Sequence, residues 1–290
     1  SRFATFLETQ NIEVSKINFN AGDAFFYRHA GAHDYTGTLA DFSSWLQAFI
    51  EAHDIDAIVC FGDCRPHHTQ AACLSDQLGI SFFVFEEGYL RPDYITLQEY
   101  GINGYSRLNI ADIKALKKAN DNPLYTHNRF YRLSIAAIVY YVIARLHKSR
   151  YPHYYHYRGM TAWQEAIAWL KAPWRKLRGY LPDKKLEQYL VTQADNNFFL
   201  VSLQVHNDSQ ITHHSGYRDV VQFIDETIAS FSNHADSSHK LVFKHHPLDR
   251  GHRDYRHLVA SLAARYQVET RVFYGCDMHL PTLMKHSKGM

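Results

Sequence analysis

Apolar residues fall into two stretches in which short runs alternate with helical stripes, separated by a region of different texture. Residues 12–19 have a strand-like pattern. Leu39, Phe42, Leu46, Phe49 and Ile50 share one face at helical spacing. Residues 55–61 form a short apolar run of the buried-strand kind, opening onto Gly62-Asp63-Cys64-Arg65-Pro66. A helix carrying Ala71, Leu74 and Leu78 follows, with Gly79 as its C-terminal cap. Residues 80–85 form another buried strand leading into Glu86-Glu87-Gly88. Strands alternating with helices in this way predict a parallel sheet covered on both faces.

The second stretch repeats the pattern. Residues 198–205 predict a strand that runs into His206-Asn207-Asp208-Ser209-Gln210, and Tyr217, Val220, Val221, Ile224, Ile228 and Phe231 share a helical stripe. Residues 241–243 lead into Lys244-His245-His246-Pro247, followed by a helix over 255–266, a strand around Val272 and a helix from Leu280. The simplest architecture is α/β, with two Rossmann-like units joined by a mostly helical middle. We place these at 1–115, 116–190 and 191–290. The chain opens on a helix with no strand before it and closes at residues 287–290 as a strand would begin, so a portion of a longer protein is expected.

Charge separates the middle from the rest. Residues 125–180 hold ten Lys or Arg against Glu165 alone, so this segment carries +9 and the remainder −7 of a net +2. Thirteen aromatics fall there, including Trp163, Trp169 and Trp174. Cations interleaved with Trp and Tyr suit an anionic membrane surface, and Arg175, Lys176 and Arg178 are candidate lipid contacts. An insertion packing its rings on a core is the competing reading. Single-stranded nucleic acid could use the same mixture, but no nucleic-acid partner is expected. The longest uncharged apolar run has 12 residues, short of the ~20 that cross a bilayer. Cys60, Cys64, Cys73 and Cys276 lack both metal-ligand spacing and the density of a secreted disulfide framework, which points to a cytoplasmic protein.

The polar clusters lie where strands end. Ligands of open parallel sheets bind beyond the carboxyl ends of strands, and Asp63 with Arg65, Glu86 with Glu87, residues 206–210 and residues 244–246 all fall at such ends. Each has a plain structural alternative: a helix cap for Asp63, a turn for Glu-Glu-Gly, an ordinary surface or core role for a histidine. Together they offer carboxylates as nucleophile or proton carrier. Lys244 and His246 could hold a phosphate as its charge develops. Such a set transfers a group from a nucleotide donor. Neither a Walker loop nor Gly-x-Gly-x-x-Gly is present. Despite 20 histidines there is no His-Glu-x-x-His, and the doublets His67-His68, His213-His214 and His245-His246 point to opposite sides of an extended chain; no metal is expected.

Four segments carry a resemblance: Phe61-Gly62-Asp63-Cys64-Arg65-Pro66-His67, residues 84–97 with Glu86-Glu87-Gly88 and Arg91-Pro92-Asp93, residues 206–210, and residues 242–251 with His246-Pro247 and Arg250. In this order they resemble the capsule polysaccharide biosynthesis and export family of bacterial β-Kdo transferases. The match runs from Ile17 to the end and is thinnest over 109–185. The family's Ser/Thr-rich nucleotide-binding turn is expected beyond Met290.

The resemblance implies a GT-B glycosyltransferase that moves Kdo from CMP-Kdo to a lysophospholipid of phosphatidylglycerol type, beginning the linker of a capsular polysaccharide. CMP-Kdo is the donor substrate and no separate cofactor is implied. The acceptor would lie on the N-terminal domain and the nucleotide on the C-terminal one. The protein would work in the cytoplasm, peripheral on the inner membrane of a Gram-negative bacterium, and other capsule assembly proteins are candidate partners. Because donor and product share the β configuration, the reaction retains configuration. That requires a nucleophile, assigned to Asp63, and a base for the acceptor hydroxyl, Glu86 or Glu87. His246 would stabilise departing CMP with Lys244 assisting. Arg65 and Arg91 are candidates for the Kdo carboxylate, because a planar fork fits a carboxylate. Asp208, Ser209, Gln210, Pro247 and Arg250 complete the candidate substrate contacts. The alternatives are a sialyl-type or other CMP-sugar transferase, and a non-catalytic membrane-docking subunit of a capsule assembly complex.

Overall fold

The computed structural model describes residues 2–88, 94–109, 111, 130–154 and 162–290. The chain divides into two compact units, Ser1–Tyr157 and Arg158–Met290.

In the first unit the order is α1 (Arg2–Thr9), β1 (Lys16–Asn18), α2 (Ala21–Phe26), β2 (Ala32–Asp34), α3 (Phe42–Ala52), β3 (Ala57–Phe61), α4 (Pro66–Leu78), β4 (Ser81–Glu87), β5 (Ile95–Glu99) and α5 (Phe130–Leu146). The strand expected over 12–19 shrinks to the three residues of β1, which pairs in parallel with β2. Strand β4 is central in the other sheet, parallel to β3 and antiparallel to β5. Phe42, Leu46 and Ile50 of α3 pack with Ala71 and Leu74 of α4 over Cys60, Phe82 and Val84. Pro66 opens α4, where a missing N–H costs nothing, and Gly79 closes it at φ +70°.

Coverage of this sheet differs from the expectation. Val59 and Phe61 on β3 and Ile95 and Leu97 on β5 remain exposed on the opposite face. The cause is topological. An antiparallel neighbour such as β5 needs no crossover helix to reach β4, so its pairing by itself brings no helix to that face.

Helix α5 is mostly apolar, broken by Arg132, Ser134 and Arg145. It seats Tyr140 on α2, where the hydroxyl accepts from Asn20 Nδ2 at 2.6 Å and donates to Asp23 Oδ1 at 3.1 Å. Tyr131, Leu133, Ile135, Ile138 and Leu146 stay exposed.

The second unit runs α6 (Ala162–Thr192), β6 (Phe198–Ser202), α7 (Ser209–Thr212), α8 (Val220–His234), β7 (Lys240–Lys244), a 3₁₀ turn (Pro247–Asp249), α9 (Arg256–Arg265), β8 (Val272–Gly275) and α10 (Leu280–His286). Its three strands are parallel in the order β6-β7-β8. Here both faces are covered. Leu241 and Phe243 join the α8 and α9 stripes, including Ile224, Ile228, Val259 and Leu262. Val242 faces the other way, with Leu190 of α6 and Leu283 of α10. Helix α8 begins at Val220 rather than Tyr217, because the Asp219 carboxylate caps it by accepting from Gln222 N at 2.8 Å. Tyr217 nevertheless packs against the core. Next to β6, Leu200 N donates to Gly289 O at 2.9 Å, so the last residues begin to pair with that strand.

Candidate functional site

In the first unit the polar edge is built after β3 and at the end of β4. Gly62, at φ +69°, turns the chain out of β3 in a conformation that side chains disfavour. The next residue, Asp63, is 7 % exposed. Its Oδ2 accepts the Ile102 N–H at 2.9 Å and its Oδ1 the Cys64 thiol at 3.3 Å. Arg65 takes the cap position of α4, so Asp63 reaches a distant backbone group instead of serving as that cap. Glu86 and Glu87 lie within β4 rather than in a turn after it. Successive strand residues face opposite ways. Glu86 is half-buried and accepts from Asn103 Nδ2 at 2.8 Å, while Glu87 is exposed.

Residues 102 and 103 thus hold both Asp63 and Glu86. Asn103 sits in the left-handed region at φ 52°, which asparagine tolerates better than most residues. His68 bonds through Nδ1 to Gly62 O at 2.7 Å, and burial pushes its pKa down to about 4. The ring is therefore neutral and donates from Nδ1. Arg91 lies outside the described residues.

In the second unit the edge beyond β6, β7 and β8 is a compact polar network. Asp208 accepts from Gln210 N at 2.9 Å as the cap of α7, bringing Ser209 and Gln210 into its first turn. His246 Nδ1 accepts from Leu248 N at 3.2 Å, and Pro247 opens the 3₁₀ turn that ends at the fully buried Asp249. Asp249 Oδ1 meets His206 Nδ1 at 2.5 Å and its Oδ2 accepts from His206 N at 3.3 Å. His245 places Nε2 3.7 Å from Asp249 Oδ2 and bonds Tyr274 Oη through Nδ1. Burial pushes His245 down to about 4.

Lys244, the last residue of β7, is buried and donates to Cys276 O at 3.4 Å, and burial lowers its pKa. Arg250 pairs with Asp277. Asp183 of α6 accepts the N–H groups of Cys276 and Asp277 at 2.8 and 2.7 Å, fixing the turn after β8. Arg175 donates from Nη1 to the carbonyls of Arg250 and Arg253 at 2.7 and 3.1 Å. It braces the turn after the 3₁₀ segment within this unit.

Sequence reasoning missed Asn103, Asp183, Asp249 and Asp277. Asp249 lies in the 242–251 motif, two residues after Pro247, but nothing local marks it as buried or as the partner of His206. The others come from segments distant in sequence and left no signal.

Exposed residues of α6 form a continuous apolar stripe, Leu170, Trp174, Leu177 and Leu181, at spacings of four, three and four. Lys171 and Arg178 flank it on one side and Trp169, Lys176 and Tyr180 on the other, all exposed. Among the described residues no helix is long and apolar enough to cross a membrane.

The strand-edge motifs lie inside a longer match, because a family model described as capsule polysaccharide biosynthesis protein aligns with residues 56–290. The chain belongs to the capsule polysaccharide biosynthesis family. Within that family it is similar to the capsule polysaccharide export protein KpsS of Escherichia coli, 38 % identical over all of this chain and 75 % of that one. It is also similar to the capsule polysaccharide modification protein LipB of Neisseria meningitidis serogroup B, 35 % identical over all of this chain and 71 % of that one. LipB of serogroup A matches at the same identity and coverage. No solved structure matches the chain.

Proposed function

We propose that this capsule biosynthesis protein is a retaining β-Kdo transferase of the GT-B type, using CMP-Kdo as donor and a lysophospholipid as acceptor. The observation that carries the reading is the placement of its four motifs. Asp63 follows β3, Glu86 and Glu87 are the last two residues of β4, residues 206–210 follow β6, and residues 244–246 begin at the last residue of β7, each near the end of a strand where α/β folds bind ligands. Family membership supports the polysaccharide context, and a division into two α/β units is in keeping with the GT-B reading.

In this scheme Asp63 attacks C2 of Kdo while the C2–O bond to phosphate breaks and CMP leaves with the bonding pair. The acceptor hydroxyl then attacks C2, Glu86 takes its proton, and the Asp63 carboxylate departs. Two inversions give retention. Glu86 is preferred over Glu87 as base because Asn103 orients it and the adjacent Ile102 N–H holds Asp63. His246 is assigned to the nucleotide phosphate, with Lys244, two residues before it, adding positive potential. Arg65 is assigned to the Kdo carboxylate. Arg250, already paired with Asp277, shapes the site instead of gripping the sugar. The α6 stripe and its flanking cations dock the protein on anionic lipid at the inner membrane.

The deciding experiment incubates the full-length protein with CMP-Kdo and short-chain lysophosphatidylglycerol and reads products by mass spectrometry and anomeric NMR. A β-linked Kdo adduct is expected. Consumption of CMP-sialic acid in its place identifies the sialyl-type alternative. Capsule made normally by cells carrying both Asp63→Asn and Glu86→Gln identifies a docking subunit.

A further inference from the structure

Two imidazoles at the edge of the second unit are held in opposite ways. His246 uses Nδ1 to accept the Leu248 N–H at 3.2 Å, so the neutral ring carries its proton on Nε2 and is a donor there. His206 turns Nδ1 toward Asp249 at 2.5 Å. A carboxylate accepts, so the proton lies on Nδ1 and the neutral ring presents a lone pair at Nε2. Asp249 is fully buried and also accepts the His206 backbone N–H at 3.3 Å, which ties ring and main chain to one carboxylate. The His206 side chain keeps 17 % exposure, so it is reachable from solvent while its partner is not. A sealed carboxylate behind a reachable imidazole stabilises the cationic ring when an anion arrives in front.

We propose that His206, held by Asp249, is a second phosphate-binding group of the nucleotide site, acting beside His246. The inference rests on the glycosyl-transfer reading above. Binding a nucleotide phosphate draws one proton from solvent onto Nε2, leaving the imidazolium between Asp249 and the phosphate. In the donor this phosphate is a diester with one negative charge. When the C2–O bond breaks, the bonding pair stays on the phosphate oxygen and the charge rises by one, so the His206 cation binds the departing group more strongly than the donor. That difference is what accelerates a step. Asp249 touches no substrate and is a positioning residue.

The test uses the full chain and titrates CMP and cytidine by calorimetry into wild type, His206→Gln and Asp249→Asn. Removing a hydrogen bond to a charged group predicts CMP binding weakened about tenfold in His206→Gln with cytidine binding unchanged. Asp249→Asn should show a smaller loss of the same selectivity, and both should lower kcat for transfer while leaving the acceptor KM alone. In ¹⁵N-histidine spectra of the free protein, the signal lost in His206→Gln should be an Nδ1-protonated ring and that lost in His246→Gln an Nε2-protonated one. Unchanged CMP affinity in His206→Gln, equal losses for CMP and cytidine, no CMP binding by wild type, or the opposite tautomers would overturn the proposal. A wild type that binds CMP with this His206 dependence yet transfers no sugar would uphold the phosphate site and overturn the transferase reading.

Discussion

Strands β3 and β7 end in similar polar clusters but are buried differently. On β7, Leu241, Val242 and Phe243 are all buried between two layers of helices; on β3, Cys60 is buried while Val59 and Phe61 stand exposed. The edges they carry follow suit. Beyond β7 the groups are sunk into the fold and compensated there: Lys244 by the Cys276 carbonyl, Arg250 by Asp277 and His206 by Asp249. Beyond β3, Asp63 and Glu86 are tethered by Ile102 and Asn103 from one surface turn. The doubly covered sheet fixes its polar edge as part of its own stability. The sheet whose second face keeps Val59, Phe61, Ile95 and Leu97 exposed leaves its carboxylates separable from the fold, so mutations should split chemistry from stability in the first unit and mix them in the second.

The largest split is expected at Asp63. Asp63→Asn should reduce transfer at least about 1,000-fold, ~4 kcal/mol in the barrier, while the urea midpoint barely moves, because the amide oxygen still accepts the Ile102 N–H. Asp63→Ala is less clean, since an orphaned buried N–H costs ~1–3 kcal/mol. An Asn variant that unfolds markedly more easily than wild type would erase the contrast.

Next comes Asp183→Ala, which strands two N–H groups, those of Cys276 and Asp277. Urea denaturation should show a loss of ~2–4 kcal/mol. A loss below ~1 kcal/mol would mean that the turn after β8 does not depend on this carboxylate.

Acid should act on the second unit through His245. Its folded pKa of about 4 lies below the ~6.5 of an unfolded histidine. Between those values the unfolded chain takes up a proton that the folded ring refuses, so stability falls as pH drops from about 6.5 toward 4. Between pH 7 and pH 5 the wild type should lose ~1–2 kcal/mol more than His245→Gln. Equal losses would remove His245 as the cause. His68, also pushed down to about 4, gives the first unit a sensitivity of the same sign, and His68→Gln isolates it.

The smallest effect belongs to α6. Lys171→Gln should weaken binding to anionic vesicles about fivefold, ~1 kcal/mol, with transfer to a soluble short-chain acceptor unchanged. Identical binding by the variant, or equal binding to neutral and anionic vesicles, would remove the electrostatic part of the docking model.

What the sequence revealed follows the range of the interaction. The unbroken run 241–243 announced a strand covered on both faces, and Gly79 announced its helix end, because both signals are local. Strand β5 went unseen because Ile-Thr-Leu-Gln-Glu, although it alternates, is only five residues long, and its apolar residues stay exposed while it pairs with β4. Glu86 and Glu87 were placed just past their strand for the same reason, since β5 extends the ladder through them. At the site, punctuation alone placed Asp63 just past its strand, and Glu86, His206 and Lys244 near the ends of theirs to within a few residues. It did not reveal their partners. Ile102 and Asp63 are 39 residues apart, and Cys276 and Asp183 are 93 apart, and no periodicity reports contacts that only the folded sheet creates.

The exposed rings of α6 also give the molecule an optical signature. Trp45 is packed among Tyr35, Phe42 and Phe49 in the first unit, whereas Trp169 and Trp174 are largely open to solvent. Indole emission shifts to the red and is quenched by acrylamide when the ring is wet. Trp169 and Trp174 should therefore supply a red, quenchable component that turns blue and shielded on a lipid surface, while the emission of Trp45 stays fixed as an internal reference. Attachment to a bilayer could then be followed in real time by the protein's own light, without a label.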